Sequence, residues 1–401
     1  MSKVKIVPLT STKTKFEDVN TNNKKLTSKA TDIEQIPISI SSSITKSLEQ
    51  SSSNEQIKIA PITSSSSSLL LSSSSTTTTT SIFKIPENVR PFQYNDDTGG
   101  IIYNLPTKLS INTMRCHENY VACIIQLING DIASCSLDKT IKIWDSFTFE
   151  IKKILVDNDL QNAHDDYVNC IIQLSNGILC SASHDKKIKC WNIESSKCIK
   201  IIDGHNGWVM SLSRMKHEGS ILSTSGDKTI KIFNIITGEC DITFKGHSDY
   251  VRTAIELIDT RIISGSDDKS IRIWDSKTGE LDLKIENHTG WIRSIIQLKG
   301  GIDDGKIASC SDDSTIRIFN LNGVYERVIV GHTSTITSII QLNNGNLASS
   351  SWDKSIRIYN MNTYQTEIIL YGHSKGIYCL LQLEDDRLVT GSSDHTIKIY
   401  K

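Results

Sequence analysis

Three residue types that form the catalytic triad of serine hydrolases recur together seven times along this 401-residue chain. Each set contains a histidine, a serine or threonine, and an aspartate four positions after the hydroxyl residue. In a hydrolase, the histidine would remove the hydroxyl proton and the aspartate would orient the imidazole. An enzyme needs such a site only once, however, and every set here ends in an aromatic residue six positions after its aspartate. The repetition therefore favours a structural network and indicates that the protein is not an enzyme.

The seven sets occupy regular positions in the C-terminal three quarters of the chain. The histidines are His117, His164, His205, His247, His288, His332 and His373. The hydroxyl residues are Ser134, Ser181, Ser223, Ser264, Ser309, Ser349 and Thr390, and the aspartates are Asp138, Asp185, Asp227, Asp268, Asp313, Asp353 and Asp394. The aromatic residues, spaced 40 to 47 residues apart, are Trp144, Trp191, Phe233, Trp274, Phe319, Tyr359 and Tyr400. This period indicates an array of similar units.

The stretch Arg261–Asp275 shows the elements that must position each set. Arg261–Ser266 and Ser270–Trp274 are rich in β-branched residues, and the acidic pair Asp267 and Asp268 separates them. This pattern predicts two antiparallel strands joined by a tight turn. Strand patterns continue through the repeats without a helical stripe, so we expect an all-β fold.

Composition divides the chain into three segments. Residues 1–81 contain homopolymeric serine and threonine runs and few aromatic residues, which predicts a disordered low-complexity tail. All six prolines lie at or before residue 106, and proline is disfavoured inside dense antiparallel sheets. We therefore expect a linker over residues 82–106 and a folded domain over residues 107–401.

Each unit resembles the WD40 repeat. It contains a histidine, often after glycine, then an aspartate about twenty residues later and an aromatic residue six positions after that aspartate. Seven such units imply a seven-bladed β-propeller, closed by an N-terminal strand at 108–113 that would complete the last blade. The resemblance also implies a hydrogen-bonded network in which aspartate holds histidine, histidine meets the hydroxyl, and the hydroxyl accepts from an indole where tryptophan is present. Tyr359 and Tyr400 are expected to place their hydroxyls elsewhere.

The resemblance further implies which residues lie on the top face of the propeller. Three positions in each unit give 21 candidates, of which seven are Tyr or Trp and none is Lys or Glu. That composition is typical of protein-binding hot spots. The candidate partner-binding residues are Tyr120, Tyr167, Trp208, Met210, Tyr250, Arg252, Trp291, Arg293, Trp352 and Tyr378.

Arg252 and Arg293 allow two interpretations. They could bind a carboxylate or phosphate of a partner, or they could pair with Asp267 and Asp312 of their own units. The sequence leaves both open.

The remaining features limit the function classes. A formal net charge of −1 does not favour nucleic acid or a membrane surface as partner. Ten scattered cysteines without metal-ligand spacing indicate buried thiols, and we expect no cofactor. We predict a monomeric cytoplasmic scaffold for protein partners within larger complexes, with a nuclear location as the alternative. The alternative function is substrate recognition or regulation in a ubiquitin-ligase or kinase complex.

Overall fold

The computed structural model describes residues 107–109, 112–155 and 163–401, with side chains from residue 112 onward. The predicted tail, 1–81, and the predicted linker, 82–106, lie outside these residues. The described residues form 29 strands and one short 3-10 turn, Gly301–Asp303. The strands form seven sheets, which are the blades of a β-propeller. Within this part of the chain, no helix is long and apolar enough to cross a membrane.

The first four blades each contain four strands, which are numbered from the innermost outward. Blade 1 contains β3 (Val121–Gln126), β4 (Ile132–Ser136), β5 (Ile141–Trp144) and β6 (Ile151–Ile154). Blade 2 contains β7 (Val168–Gln173), β8 (Leu179–Ser183), β9 (Ile188–Asn192) and β10 (Lys197–Ile202). Blade 3 contains β11 (Val209–Arg214), β12 (Ser220–Ser225), β13 (Thr229–Asn234) and β14 (Cys240–Lys245). Blade 4 contains β15 (Val251–Glu256), β16 (Ile262–Ser266), β17 (Ile271–Trp274) and β18 (Leu281–Ile285).

The last three blades follow the same order, and two of them receive strands from the N-terminal side. Blade 5 contains β19 (Ile292–Gln297), β20 (Ile307–Ser311), β21 (Ile316–Phe319) and β22 (Tyr325–Ile329). Blade 6 contains β23 (Ile336–Gln341), β24 (Leu347–Ser351), β25 (Ile356–Tyr359), β26 (Thr366–Tyr371) and β1 (Thr107–Leu109). Blade 7 contains β27 (Ile377–Gln382), β28 (Leu388–Ser392), β29 (Thr396–Tyr400) and β2 (Asn112–Arg115).

The predicted closure of the ring by an N-terminal strand is confirmed, with shifted bounds. The closing strand is β2, and it pairs antiparallel with β29, placing Met114 opposite Ile397. Met114 is buried among residues of blades 1 and 7, which explains why this part of the chain is drawn into the last blade. The sequence missed a second N-terminal strand, because β1 instead pairs in parallel with β26 of blade 6.

The second strand of each blade is almost wholly buried, because neighbouring blades cover both of its faces. Its residues are mostly small, as in Ile132–Ser136 (IASCS) and Leu179–Ser183 (LCSAS). Small side chains allow adjacent sheets to approach closely while the interior stays densely packed. The apolar core is therefore divided into layers between the blades.

Each layer is filled by the aromatic residue that ends a third strand. Trp274 of blade 4 packs against Leu222 and Ile230 of blade 3. Trp144 of blade 1 packs in the same way against Val389 and Ile397 of blade 7, so the arrangement continues around the ring. An aromatic side chain that loses its contact with water here contributes on the order of 2–3 kcal/mol.

A second contact between blades was not predicted from the sequence. The backbone N–H of Ile128, just after the innermost strand of blade 1, donates to Gln173 Oε1 of blade 2 over 2.8 Å. Glutamines accept the equivalent bond at four other boundaries, between blades 4 and 5, 5 and 6, 6 and 7, and 7 and 1. Between blades 3 and 4 the acceptor is Glu256. Arg214 occupies the equivalent position on blade 3, so among the described residues the boundary between blades 2 and 3 lacks this bond.

The stretch Lys299–Lys306 makes the connection between the first two strands of blade 5 longer than in the other blades. It forms an ordered loop in which Asp303 is buried. Asp303 accepts a hydrogen bond from Tyr364 Oη over 2.8 Å and pairs with Lys306 Nζ at 3.0 Å. This loop therefore links blade 5 to blade 6.

The ten cysteines are thiols and form no disulfide within the described residues; nine of them are buried or half-buried, as the sequence predicted, while Cys240 is exposed. Cys180 and Cys190 face each other across β8 and β9, with their Sγ atoms 3.4 Å apart. In the described residues, no group of three or more His, Cys, Asp or Glu side chains could hold a metal ion.

Removing β2 should test the closure of the ring. A chain that begins at Asn112 keeps β2 and lacks only β1, and we expect it to be soluble and to unfold cooperatively. A chain that begins at Cys116 lacks β2 as well, exposes the edge of β29 and loses the contacts of Met114. We expect it to aggregate, or to melt at least ~5 °C lower, which corresponds to about 2 kcal/mol in a domain of this size. Equal melting temperatures of the two chains in calorimetry would contradict the closure.

Candidate functional site

The seven Ser/His/Asp sets form one hydrogen-bonded arrangement that is repeated in every blade, and we call it the polar network. In each set, histidine Nδ1 lies 2.6 to 2.9 Å from aspartate Oδ2. Histidine Nε2 lies 2.7 to 2.8 Å from the serine or threonine hydroxyl. The predicted network is therefore present, including all of its members at His117, Ser134, Asp138, Trp144, His164, Ser181, Asp185, Trp191, His247, Ser264, Asp268 and Trp274.

Tryptophan extends this network where it ends the third strand. The indole Nε1–H donates to the serine hydroxyl over 2.8 to 2.9 Å in blades 1, 2 and 4. The expectation for Tyr359 is wrong, because its hydroxyl lies 3.3 Å from Ser349 Oγ and so occupies the place of the indole N–H. The buried hydroxyl of Tyr400, by contrast, has no hydrogen-bond partner among the described residues.

The protonation states follow from the surroundings. Burial lowers the pKa of five of the histidines, although the aspartate partner partly raises it again; they are His117, His164, His247, His332 and His373. Burial also opposes ionisation of the seven aspartates, but hydrogen bonds from histidine and from nearby donors outweigh it and lower their pKa. A neutral imidazole therefore donates from Nδ1 to a carboxylate and accepts the hydroxyl proton at Nε2.

A further hydroxyl strengthens the turn and was missed in the sequence. In six blades, a serine or threonine two positions after the aspartate donates to its Oδ1 over 2.6 to 2.7 Å. Blade 2 has Lys187 at this position, and only its backbone N–H reaches Asp185. The recurring Asp-x-Ser/Thr pattern is the signal that could have found this contact.

The polar network cannot act on a substrate in this arrangement. The seven hydroxyl residues are 0% exposed, and the histidines are buried as well. Each hydroxyl is already engaged by the histidine, and also by an indole in blades 1, 2 and 4 and by the phenol of Tyr359 in blade 6. The network thus holds the turn, the second strand and the third strand of each blade together.

The predicted partner-binding residues lie near the turns between second and third strands, on the face that we call the top face. Most of them join in a chain of ring and guanidinium contacts, which we call the belt. Its members are Tyr167, His184, Trp208, Tyr250, Arg252, Trp291, Arg293, Trp352, Tyr378 and Tyr120. Met210 is half-buried and adds no ring to the belt.

One part of the belt is a stack of aromatic rings. His184 lies parallel to Trp208, with ring centroids 4.2 Å apart and an interplanar angle of 5°. Tyr250 meets the same indole edge-on at 5.7 Å, and Tyr167 lies 5.2 Å from His184. His184 was not among the residues selected from the sequence, because its stacking on Trp208 depends on how two rings of neighbouring blades are oriented. Such contacts fix the orientation of the side chains before any partner binds.

The arginines pair inside the protein, as the second of the two interpretations expects. Arg252 Nε and Nη2 donate to the two carboxylate oxygens of Asp267 over 2.8 and 2.6 Å. Arg293 makes the same fork with Asp312, over 2.5 and 2.9 Å. Each guanidinium charge is therefore compensated by a carboxylate of its own blade.

The same arginines are also held between aromatic rings. The Arg252 guanidinium carbon lies 5.9 Å from the centroid of Tyr250 and 5.5 Å from that of Trp291. That of Arg293 lies 5.2 Å from Trp291 and 5.4 Å from Trp352. These distances are within the range of cation–π attraction. Rings and guanidinium groups thus alternate across blades 4, 5 and 6.

The belt is open at one place, between blades 1 and 2. Tyr120 contacts Tyr378 at 5.5 Å and His395 at 6.0 Å, both of blade 7. In the described residues, no ring contact joins Tyr120 to Tyr167 of blade 2. The residue before the turn aspartate of blade 1 is Leu137, where blade 2 has His184. The belt therefore has two ends.

Comparison with known proteins agrees with this geometry. The family model described as "WD domain, G-beta repeat" matches residues 108–145, 158–192, 196–234, 238–275, 279–320, 323–360 and 364–401. The chain belongs to the WD40 repeat family. Proteins built on WD40 propellers are generally non-catalytic interaction scaffolds, which is the class of function that the family indicates for this chain.

One solved structure similar to this chain is the WD40 beta propeller domain of Doa1. The two are 22% identical, with a TM-score of 0.62, over 73% of this chain and 96% of that chain. At this identity, the similarity concerns the fold alone. The search of curated proteins finds no match.

The contribution of the indole can be tested by comparing two serines. Ser264→Ala removes the partner of both Trp274 Nε1 and His247 Nε2, whereas Ser309→Ala removes only that of His288 Nε2, because blade 5 ends in Phe319. A buried unsatisfied group costs about 1–3 kcal/mol. We expect Ser264→Ala to lower the free energy of unfolding by about 1–3 kcal/mol more than Ser309→Ala, in denaturant titration. Equal losses would contradict this role of the indole.

The stability of the propeller should fall in acid in two steps. The five histidines with lowered pKa stay neutral in the folded state, while unfolded histidine protonates near pH 6.5. The unfolded state thus gains protons as the pH falls below about 6.5, and stability is lost. The aspartates add a second loss below about pH 4, where the unfolded carboxyls protonate first. Calorimetry should show a lower melting temperature at pH 5.5 than at pH 7.5; the reverse order would contradict the assignment.

Proposed function

We propose that this protein is a non-catalytic scaffold whose top face binds a peptide or loop of a protein partner. The observation that carries the proposal is the exposure of three indoles within the belt. Trp208, Trp291 and Trp352 each keep 40 to 41% of their surface exposed. Large exposed aromatic residues beside arginine are typical of the centre of protein interfaces.

The order of the belt also supports binding. Trp208 is held between His184 and Tyr250, and Trp291 lies between two guanidinium groups. A partner would therefore meet rings whose orientation is already fixed. Binding to such side chains avoids about 0.5–1.5 kcal/mol of ordering cost for each one.

The compensated arginines favour an uncharged ligand segment over an acidic or phosphorylated one. Asp267 and Asp312 already accept the forks of Arg252 and Arg293, so an incoming carboxylate would have to displace them or bind beside a neutral pair. The gain from charge attraction is correspondingly small.

Substrate recognition or regulation in a ubiquitin-ligase or kinase complex remains a prediction from the sequence, as do the monomeric state and the cytoplasmic location. In each of these roles the top face would contact the recruited protein. The partners recovered with the chain would distinguish them.

A triple variant tests whether the top face binds partners. Trp208→Ala, Tyr250→Ala and Trp291→Ala together remove three rings of the belt. We expect affinity purification of this full-length variant to recover at least ~10-fold less of each top-face partner than the wild type, since each hot-spot ring contributes 1 kcal/mol or more.

The matched control removes exposed apolar side chains from the opposite face. Phe147 and Ile236 are 81% and 80% exposed and lie in the turns between third and fourth strands. Phe147→Ala with Ile236→Ala should leave recovery unchanged. Equal recovery by the triple variant and the wild type would overturn the proposal.

A further inference from the structure

The belt presents hydrogen-bond donors that have no acceptor among the described residues. The indole Nε1 atoms of Trp144, Trp191 and Trp274 all donate within the polar network. Within the described residues, the indoles of Trp208, Trp291 and Trp352 make no such bond, and each residue keeps 40 to 41% of its surface exposed. Three indole N–H groups on exposed residues of the belt are therefore without an acceptor among the described residues.

Arg252 and Arg293 supply further hydrogen-bond donors. The forks to Asp267 and Asp312 use Nε and Nη2 of each guanidinium. In the described part of the chain, no hydrogen bond is made by Nη1 of Arg252 or Arg293, and neither atom is buried. Each Nη1 carries two hydrogens, so two more donor groups face outward.

The acceptors of the belt are fewer and less accessible, because the side chains of Asp267 and Asp312 are 3% and 23% exposed and the ring of His184 offers a single acceptor nitrogen. The carboxylates of Asp267 and Asp312 accept two hydrogen bonds each, and they cancel the charge of the two arginines. The phenol hydroxyls of Tyr120, Tyr167, Tyr250 and Tyr378 can either donate or accept. The belt is thus rich in donors, poor in free acceptors, and close to neutral.

A ligand that fits this surface must supply neutral acceptors without bringing donors. An ordinary peptide brings one N–H for each C=O, whereas a proline residue brings a carbonyl and no N–H. In the polyproline II conformation, the carbonyls are free of internal hydrogen bonds and the conformation is largely preformed. The pyrrolidine ring also offers a flat apolar surface to exposed aromatic side chains.

We propose that the top face binds an extended proline-rich segment of a partner protein, with the belt supplying both rings and N–H donors. This inference rests on the proposed function and specifies its ligand. Carbonyls of the segment accept from the indoles of Trp291 and Trp352 and from Nη1 of the arginines between them. The rings of the segment lie against the exposed parts of the indoles.

Calorimetric titration of the full chain with four ten- to twelve-residue peptides tests the ligand class. The probes are decaproline, a Gly-Ser repeat of the same length, the Gly-Ser repeat with two phosphoserines, and a peptide with the sequence of residues 84–95 of this chain. We expect decaproline to bind at least ~10-fold more tightly than each of the other three.

Variants of the full chain separate the ring from the donor. Trp291→Phe keeps an aromatic ring and loses the N–H, and we expect it to weaken decaproline binding about 3- to 10-fold, the range of one neutral hydrogen bond. Trp291→Ala removes both and should weaken binding further. Phe147→Ala, on the opposite face, should leave binding unchanged. If Trp291→Phe binds decaproline as tightly as the wild type does, the proposed role of the Trp291 indole N–H as a donor is overturned.

The other outcomes overturn the ligand class. Tighter binding of the phosphopeptide would indicate an anionic partner, and tighter binding of the 84–95 peptide would indicate a segment of this chain itself. Equal binding of decaproline and the Gly-Ser repeat would remove the case for proline. If decaproline fails while the triple variant still loses its partners, the proposed function stands and only the ligand is wrong. If the triple variant keeps its partners, the proposed function fails as well.

Discussion

The packing of each third-strand aromatic residue against the preceding blade is the contact on which the rest of the molecule depends. Trp274 fills the layer between blades 3 and 4, and Trp144 fills that between blades 7 and 1. Because every blade needs the one before it, the arrangement is complete only as a closed ring. The polar network holds this aromatic residue in place from one side, while β2 supplies the strand that the last blade would otherwise lack.

Exposed side chains are usually mobile, whereas a surface that recognises a partner needs side chains with a fixed orientation. The top face obtains this rigidity from the turns that the polar network fixes. Asp268 is held by His247 and Ser270, and its neighbour Asp267 is thereby placed to receive the fork of Arg252. The buried network and the exposed belt are thus adjacent parts of the same turns.

The sequence was sufficient for the fold and the network because both depend on residues that recur at a fixed period. Other contacts depend on details that recurrence does not specify. The pairing of Arg252 with Asp267 was left open, since spacing does not determine which acceptor a flexible side chain reaches. The parallel pairing of β1 involves only three residues, too few for a readable pattern. The inter-blade bond to Gln173 has a recurring residue, but its partner is a backbone N–H that sequence does not reveal.

The six tryptophans of the chain fall into two groups of three with different surroundings. Trp144, Trp191 and Trp274 are 1 to 3% exposed between blades, whereas Trp208, Trp291 and Trp352 are 40 to 41% exposed on the top face. Intrinsic fluorescence of this protein therefore combines two reporters. The buried group responds when the blades separate, and the exposed group responds to water or to a bound molecule. Quenching by a water-soluble agent distinguishes them without any label.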